Sequence, residues 1–171
     1  MRRACVWVLS FAAAGCGLVH YRYDAVYPRP DYVVGHVSPH TYRVVGDAAP
    51  APTAELCAQF VCVAGVRSML EVGLRSSLAQ IAVEASDGAP ADFSVRFDDV
   101  HLTFTSMSSI GIVWSATATD TRNGTVIAHL AGVDSGPASR VDEVPEAVRL
   151  ASLAVIRRIT GALRHSPLTA G

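Results

Sequence analysis

An α+β fold is predicted for this chain of 171 residues, with a small antiparallel sheet in the order β-α-β-β-β-α and two helices packed on one face. Three observations predict it. Apolar residues recur at helical spacing over 56–81, they alternate with polar residues over 93–104, and a second helical stripe closes the chain over 143–164. The globular part, 41–165, has the length of one domain with its own core. A flexible tail follows at 166–171.

The first strand is placed at Thr41–Val45, a β-prone run that ends at Gly46-Asp47 and a loop with Pro50 and Pro52. The first helix follows from Leu56, Phe60, Val63, Leu70, Leu74, Leu78 and Ile81, which share one stripe, with Arg67, Glu71, Arg75 and Gln80 largely off it. Cys57 and Cys62 complicate its start. Within a helix their Cα atoms would be separated by about 7.5 Å of rise, whereas a disulfide spans at most about 7 Å. Helix and bridge therefore exclude each other over that stretch. Either the cysteines are bridged in a non-helical loop and the helix begins near Val63, or they are two packed thiols; the balance leans to the bridge.

The turn cluster Ser86-Asp87-Gly88-Ala89-Pro90 separates this helix from period-two sequence. Phe93, Val95 and Phe97 alternate with Ser94 and Arg96, and Val100, Leu102 and Phe104 with His101 and Thr103. The two triplets are out of step by one residue, and a bulge at Asp98-Asp99 restores both to one face. With no His or third acid at ligand spacing, that aspartate pair is structural and not a metal site. A turn at 106–109 leads to a second strand over 110–119, with Ile112, Trp114, Ala116 and Ala118 on one side. Asn123-Gly124 then supplies a hairpin turn, which also explains the Asn123-Gly124-Thr125 glycosylation pattern, and 125–133 returns as the partner strand. The closing helix has Asp142 as its cap, Pro145 in its first turn, and Val144, Val148, Ala151, Val155, Ile159 and Ala162 as its buried stripe. Arg157, Arg158 and Arg164 suit its C-terminal dipole.

The first residues are of a different kind. Arg2 and Arg3 precede an apolar run over 4–14 that ends in Ala13-Ala14-Gly15-Cys16, so 1–15 reads as a signal peptide. Ala13-Ala14-Gly15-Cys16 resembles the lipobox of bacterial lipoproteins, which implies that Cys16 carries a thioether-linked lipid. Ala12-Ala13-Ala14 also satisfies the rule for simple secretory cleavage, while the run is far short of the roughly 20 residues of a membrane span. Of the four cysteines, Cys5 leaves with the signal and Cys16 takes the lipid; Cys57 and Cys62 remain as the even pair expected in an oxidising compartment. Gly17, where inner-membrane lipoproteins of Gram-negative bacteria carry Asp, implies by the same resemblance an outer-membrane location facing the periplasm. The segment 16–40, rich in proline and tyrosine, is expected to be the lipidated N-terminus and an extended linker.

Order and pattern over residues 41 to 164 resemble small α/β outer-membrane lipoproteins of the YajG-like family and, more loosely, the auxiliary lipoproteins of lipid transporters. The segments that carry the likeness are Ala91-Asp92-Phe93-Ser94-Val95 behind a long helix and Ala118-Thr119-Asp120-Thr121-Arg122-Asn123-Gly124. The resemblance implies an envelope protein partner.

A net charge of −1 and a pI near 6.6 offer no basic patch for phosphates, so a nucleic-acid partner is not expected. The chain has no Gly-rich phosphate loop, no G-x-S-x-G elbow and no H-E-x-x-H, and His36 and His40 lack a third ligand. No catalytic residue, metal or cofactor is assigned, and the chain is expected not to be an enzyme. Two functions remain open: docking onto an envelope assembly or transport complex, or carrying a small apolar or lipidic ligand between sheet and helices, lined by Phe93, Phe97, Phe104 and Trp114. An apolar cavity would favour the carrier, and a filled core with an open strand edge the docking protein.

Overall fold

The computed structural model describes residues 18–23, 37–46 and 55–166. The signal peptide, Cys16, Gly17, most of the expected linker, His36 and residues 167–171 lie outside the described residues. The described chain folds as a mixed α+β structure with two helices and two sheets.

Residues Val19–Arg22 (β1), Thr41–Val45 (β2), Glu55–Ala58 (β3) and Val61–Ala64 (β4) precede the first helix, Val66–Leu78 (α1). Val83–Glu84 (β5), Phe93–Ser106 (β6), Ser109–Asp120 (β7) and Val126–Pro137 (β8) follow. A 3₁₀ turn at Val141–Glu143 leads into the closing helix, Val144–Arg164 (α2). The larger sheet has the order β5-β2-β6-β7-β8, with β2 parallel to both β5 and β6 and the β6-β7-β8 meander antiparallel. The smaller sheet has the order β1-β4-β3.

The expected order of strand, helix, three antiparallel strands and helix is therefore present, with four more strands around it. Where a single antiparallel sheet was expected, β2 pairs in parallel, because α1 carries the chain across one face before β6 begins. Val19–Arg22, inside the expected linker, is a strand. Val19 and Tyr23 are half-buried and Tyr21 is buried, while His20 and Arg22 are exposed, the alternation of a strand with one covered face.

The helical stripe is real only from Val66 onward. Leu70, Leu74 and Leu78 are fully buried on it, but Leu56, Phe60 and Val63 belong to the β3–β4 hairpin. Gly65 separates hairpin from helix at φ +81°, and a Cβ there would meet the Tyr23 carbonyl oxygen at 2.9 Å. In β6 the pairing slips between Phe97 and Asp99, which leaves Phe97 and Val100 both buried, as the expected bulge requires.

One hydrophobic cluster joins the helix-facing side of the large sheet, both helices and the small sheet. From β7 it takes Ile110, Ile112, Trp114, Ala116 and Ala118; from α2, Val148, Ala151, Val155, Ile159 and Leu163, with Ala162 outside it. The helices meet through a buried hydrogen bond from the Thr160 hydroxyl to Ser77 at 2.9 Å. Asp142 does not cap α2: it pairs with Arg140 at 3.1 Å, while Glu143 accepts from the backbone N–H groups of Ser139 and Arg140. No described helix is long and apolar enough to cross a membrane.

Candidate functional site

The four aromatics considered as ligand-lining do not share one environment. Phe93, Phe97 and Trp114 are fully buried in the core, with Phe93 against Tyr42 at a centroid distance of 6.2 Å. Phe104 is half-buried at the far end of β6, its ring 5.5 Å from that of Phe60. The indole N–H of Trp114 donates to Asp134 at 2.8 Å, and Arg158 holds the other oxygen of that carboxylate at 2.9 Å. Arg158, expected to serve the α2 dipole, thus fastens the helix to β8.

An open cavity of about 320 Å³ is lined by Arg67, Arg96, Phe97 and Asp98. It forms where β2 ends and β6 bulges, and the Arg67 guanidinium donates to the Phe97 carbonyl at 2.7 Å. Two guanidinium groups and a carboxylate make a polar recess, unlike the apolar walls that a lipidic ligand needs.

Cys57 and Cys62 face each other directly across the β3–β4 hairpin, joined by a disulfide with their Cα atoms 4.1 Å apart. The bridge therefore lies in a hairpin and not in the non-helical loop expected from the sequence. Beside it, Nδ1 of His20 lies 3.1 Å from Glu55. His20, Glu55 and Cys62 cluster closely enough to suggest a metal, but a disulfide sulfur is not a thiolate, and only two ligands remain. His40 sits 3.6 Å from Asp92, in an ion-pair geometry.

The face of the large sheet turned away from the helices is polar. The Thr41 backbone N–H donates to Asp92 at 2.7 Å and its hydroxyl at 3.0 Å. Those bonds, with His40 and Arg122 nearby, hold the Asp92 carboxyl below the usual carboxylate range. Asp98, the extra residue of the bulge, is likewise depressed by the Thr117 hydroxyl and by Arg96. Burial pushes Tyr23 and Tyr42 well above the ordinary phenol value, and their hydroxyls donate to the carbonyls of Pro145 and Arg75. Each of these groups is engaged in holding one element to another.

The outer edge of β8 is different. Among the described residues no strand pairs with it, so its outward backbone N–H and C=O groups have no ladder partner over twelve residues. Its sequence has no lysine or arginine and its single proline is its last residue, while Val126 and Val133 are exposed along it. Asp134 turns inward near its end, yet the Trp114 and Arg158 contacts satisfy that charge.

No family model and no curated protein matches the sequence. Solved structures do resemble the fold. A Xanthomonas campestris protein of the DUF330 family matches with a TM-score of 0.58 at 17% identity, covering 85% of this chain and 94% of that one. A minor lipoprotein from Acinetobacter baumannii matches with a TM-score of 0.46 at 14% identity, over 77% of this chain and 97% of that one. The first likeness establishes a shared fold.

Proposed function

We propose that this chain is a non-catalytic envelope lipoprotein, acylated on Cys16 in the outer membrane with its domain facing the periplasm, which docks onto a partner in an envelope assembly or transport complex. The open edge of β8 carries the proposal. Soluble proteins blunt exposed edges with lysines, prolines or bulges, because an unguarded edge recruits another strand. The pairing with β7 slips at Ile127, and from Ala128 to Val133 this edge has none of these, so an extended segment of a partner adds to it there by main-chain hydrogen bonds, with Val133 giving side-chain contact and Val126 lying just beyond the slip. The burial of Phe93, Phe97 and Trp114 in the packed core favours this reading over a carrier of apolar ligands.

Photo-crosslinking in intact membranes tests it. A crosslinker placed at Val126 or Val133 should give one common adduct, and Ala131→Lys, at an exposed position between them, should abolish it. Reproducible absence of an adduct from both positions, with the chain folded and membrane-bound, would sink the docking claim. Cys16→Ala should release the chain from the membrane fraction; tight association without Cys16 would overturn the anchor.

A further inference from the structure

The chain leaves for Cys16 from an end of the molecule where two hairpin tips present exposed apolar side chains. Strand β1 runs parallel to β4, with Val19 opposite Val61, and the Val19 backbone N–H donates to the Phe60 carbonyl at 2.9 Å. The start of β1 therefore lies at the tip of the β3–β4 hairpin. Leu18 is exposed there at 52% and Phe60 at 47%. The Phe60 ring stacks near Phe104, which brings the β6–β7 hairpin tip to the same end, and at that tip Met107 is fully exposed.

Neither tip contains a charge: the first reads Ala58-Gln59-Phe60-Val61 and the second Thr105-Ser106-Met107-Ser108-Ser109. At the opposite end of the sheet the β7–β8 loop holds the ion pair Asp120–Arg122, with Asp92 beside it. Between Cys16 and Leu18 lie two peptide steps, a reach of about 7 Å at full extension. A tether that short cannot hold the domain away from a bilayer.

We infer that Leu18, Phe60 and Met107 form a lipid-contacting footprint, which seats the anchored domain directly on the membrane with the two hairpin tips in the interfacial zone. The inference rests on acylation of Cys16 as proposed above and adds the orientation that acylation alone leaves free. Apolar side chains at the headgroup boundary contribute by burying area, and the two tips carry no charge to desolvate, while the exposed Arg140–Asp142 pair, which follows β8 at the same end, is left to the polar headgroups. The footprint fixes how the domain stands: β8 runs from the far end at Val126 toward the membrane end at Pro137, so its open edge is presented sideways above the lipid surface.

The test uses the full acylated chain reconstituted in phosphatidylethanolamine–phosphatidylglycerol vesicles whose acyl chains are brominated. Phe60→Trp, Met107→Trp and Val126→Trp each add one reporter to the buried Trp114. Emission from positions 60 and 107 should fall by about half or more, as expected for side chains at the acyl boundary, while position 126 keeps its emission. Equal emission with and without bromine at all three positions, on protein whose mass shows the Cys16 lipid and which sediments with vesicles, overturns the footprint and leaves the anchor standing. Absence of the lipid from that mass overturns both. Hydrogen exchange on the unsubstituted chain gives a second measurement: amides at 59–60 and 106–108 should gain protection on reconstitution, and unchanged exchange there counts against the footprint.

Discussion

Trp114 on β7 and Asp134 on β8 are joined by an indole N–H donating to the carboxylate at 2.8 Å, inside a core where both side chains are buried. Arg158 closes the arrangement from α2, so one carboxylate ties two strands and a helix together. Removing the carboxylate orphans a buried N–H and strands the guanidinium, whereas removing the arginine leaves the carboxylate one donor. Asp134→Ala should therefore cost about 2–3 kcal/mol of stability, and Arg158→Ala less. Denaturant unfolding followed by Trp114 emission measures both. An Asp134→Ala variant as stable as the parent would show that this tie contributes nothing.

A tighter constraint operates at Gly136. A Cβ built there would lie 2.2 Å from the Ala147 carbonyl oxygen and 2.6 Å from its Cα, so β8 and α2 touch backbone to backbone. Neither partner is a movable side-chain end. Gly136→Ala must push the helix off the sheet and should cost about 3 kcal/mol or more, at the top of the range for overpacking. Gly161, exposed on α2 with nothing within 4 Å of its Cβ position, is the control. Gly161→Ala should gain up to about 1 kcal/mol from helix propensity. Equal thermal midpoints for the two variants would contradict the close approach.

The sequence made some of this legible and concealed the rest for definite reasons. Leu70, Leu74 and Leu78 declare α1, and the one-residue slip between Phe97 and Val100 declares the bulge, because in each case a local period reports a local structure. Leu56, Phe60 and Val63 fall at helical spacing by coincidence. The conflict between that stripe and a bridge from Cys57 to Cys62 was the sign that a hairpin lay there, and Gly65 marks where the helix can begin. Strand β1 is four residues long and pairs with β4 about forty residues onward, beyond any local period. The contact of Arg158 with Asp134 and the open edge of β8 arise only once strands are ordered in a sheet.

The Cys57–Cys62 bridge closes a loop of few residues, so its effect on the unfolded chain is limited. The chain-entropy relation gives about 2 kcal/mol for a loop of this size. Reduction, or the double substitution Cys57→Ala with Cys62→Ala, should lower stability by about that amount and leave the β6-β7-β8 meander folded, since the hairpin belongs to the smaller sheet. Thermal unfolding with and without reductant measures the loss, and far-ultraviolet circular dichroism checks the remaining fold. Global unfolding on reduction at room temperature would mean that the hairpin organises far more of the core than its position suggests.

Acid should weaken the seam between β2 and β6. The Asp92 carboxyl is held below its unfolded value mainly by the Thr41 backbone N–H, reinforced by the Thr41 hydroxyl, His40 and Arg122. A depressed carboxyl binds fewer protons in the folded chain than in the unfolded one, so its stabilisation is complete above the unfolded value and is lost as pH falls through the folded one. Stability should thus decline from about pH 4 downward, where carboxylates titrate in unfolded chains. Asp98 and Glu146, depressed by Thr117 and Arg149, add to the same acid limb. Asp92→Asn should cost about 1–2 kcal/mol at neutral pH and make the acid limb shallower, because one proton-linked group is gone. Thr41→Val removes the hydroxyl and keeps the backbone donor, so the Asp92 titration followed by carboxyl NMR should move upward only part of the way toward the ordinary value. An unchanged titration in Thr41→Val would show that the hydroxyl takes no part in holding that charge.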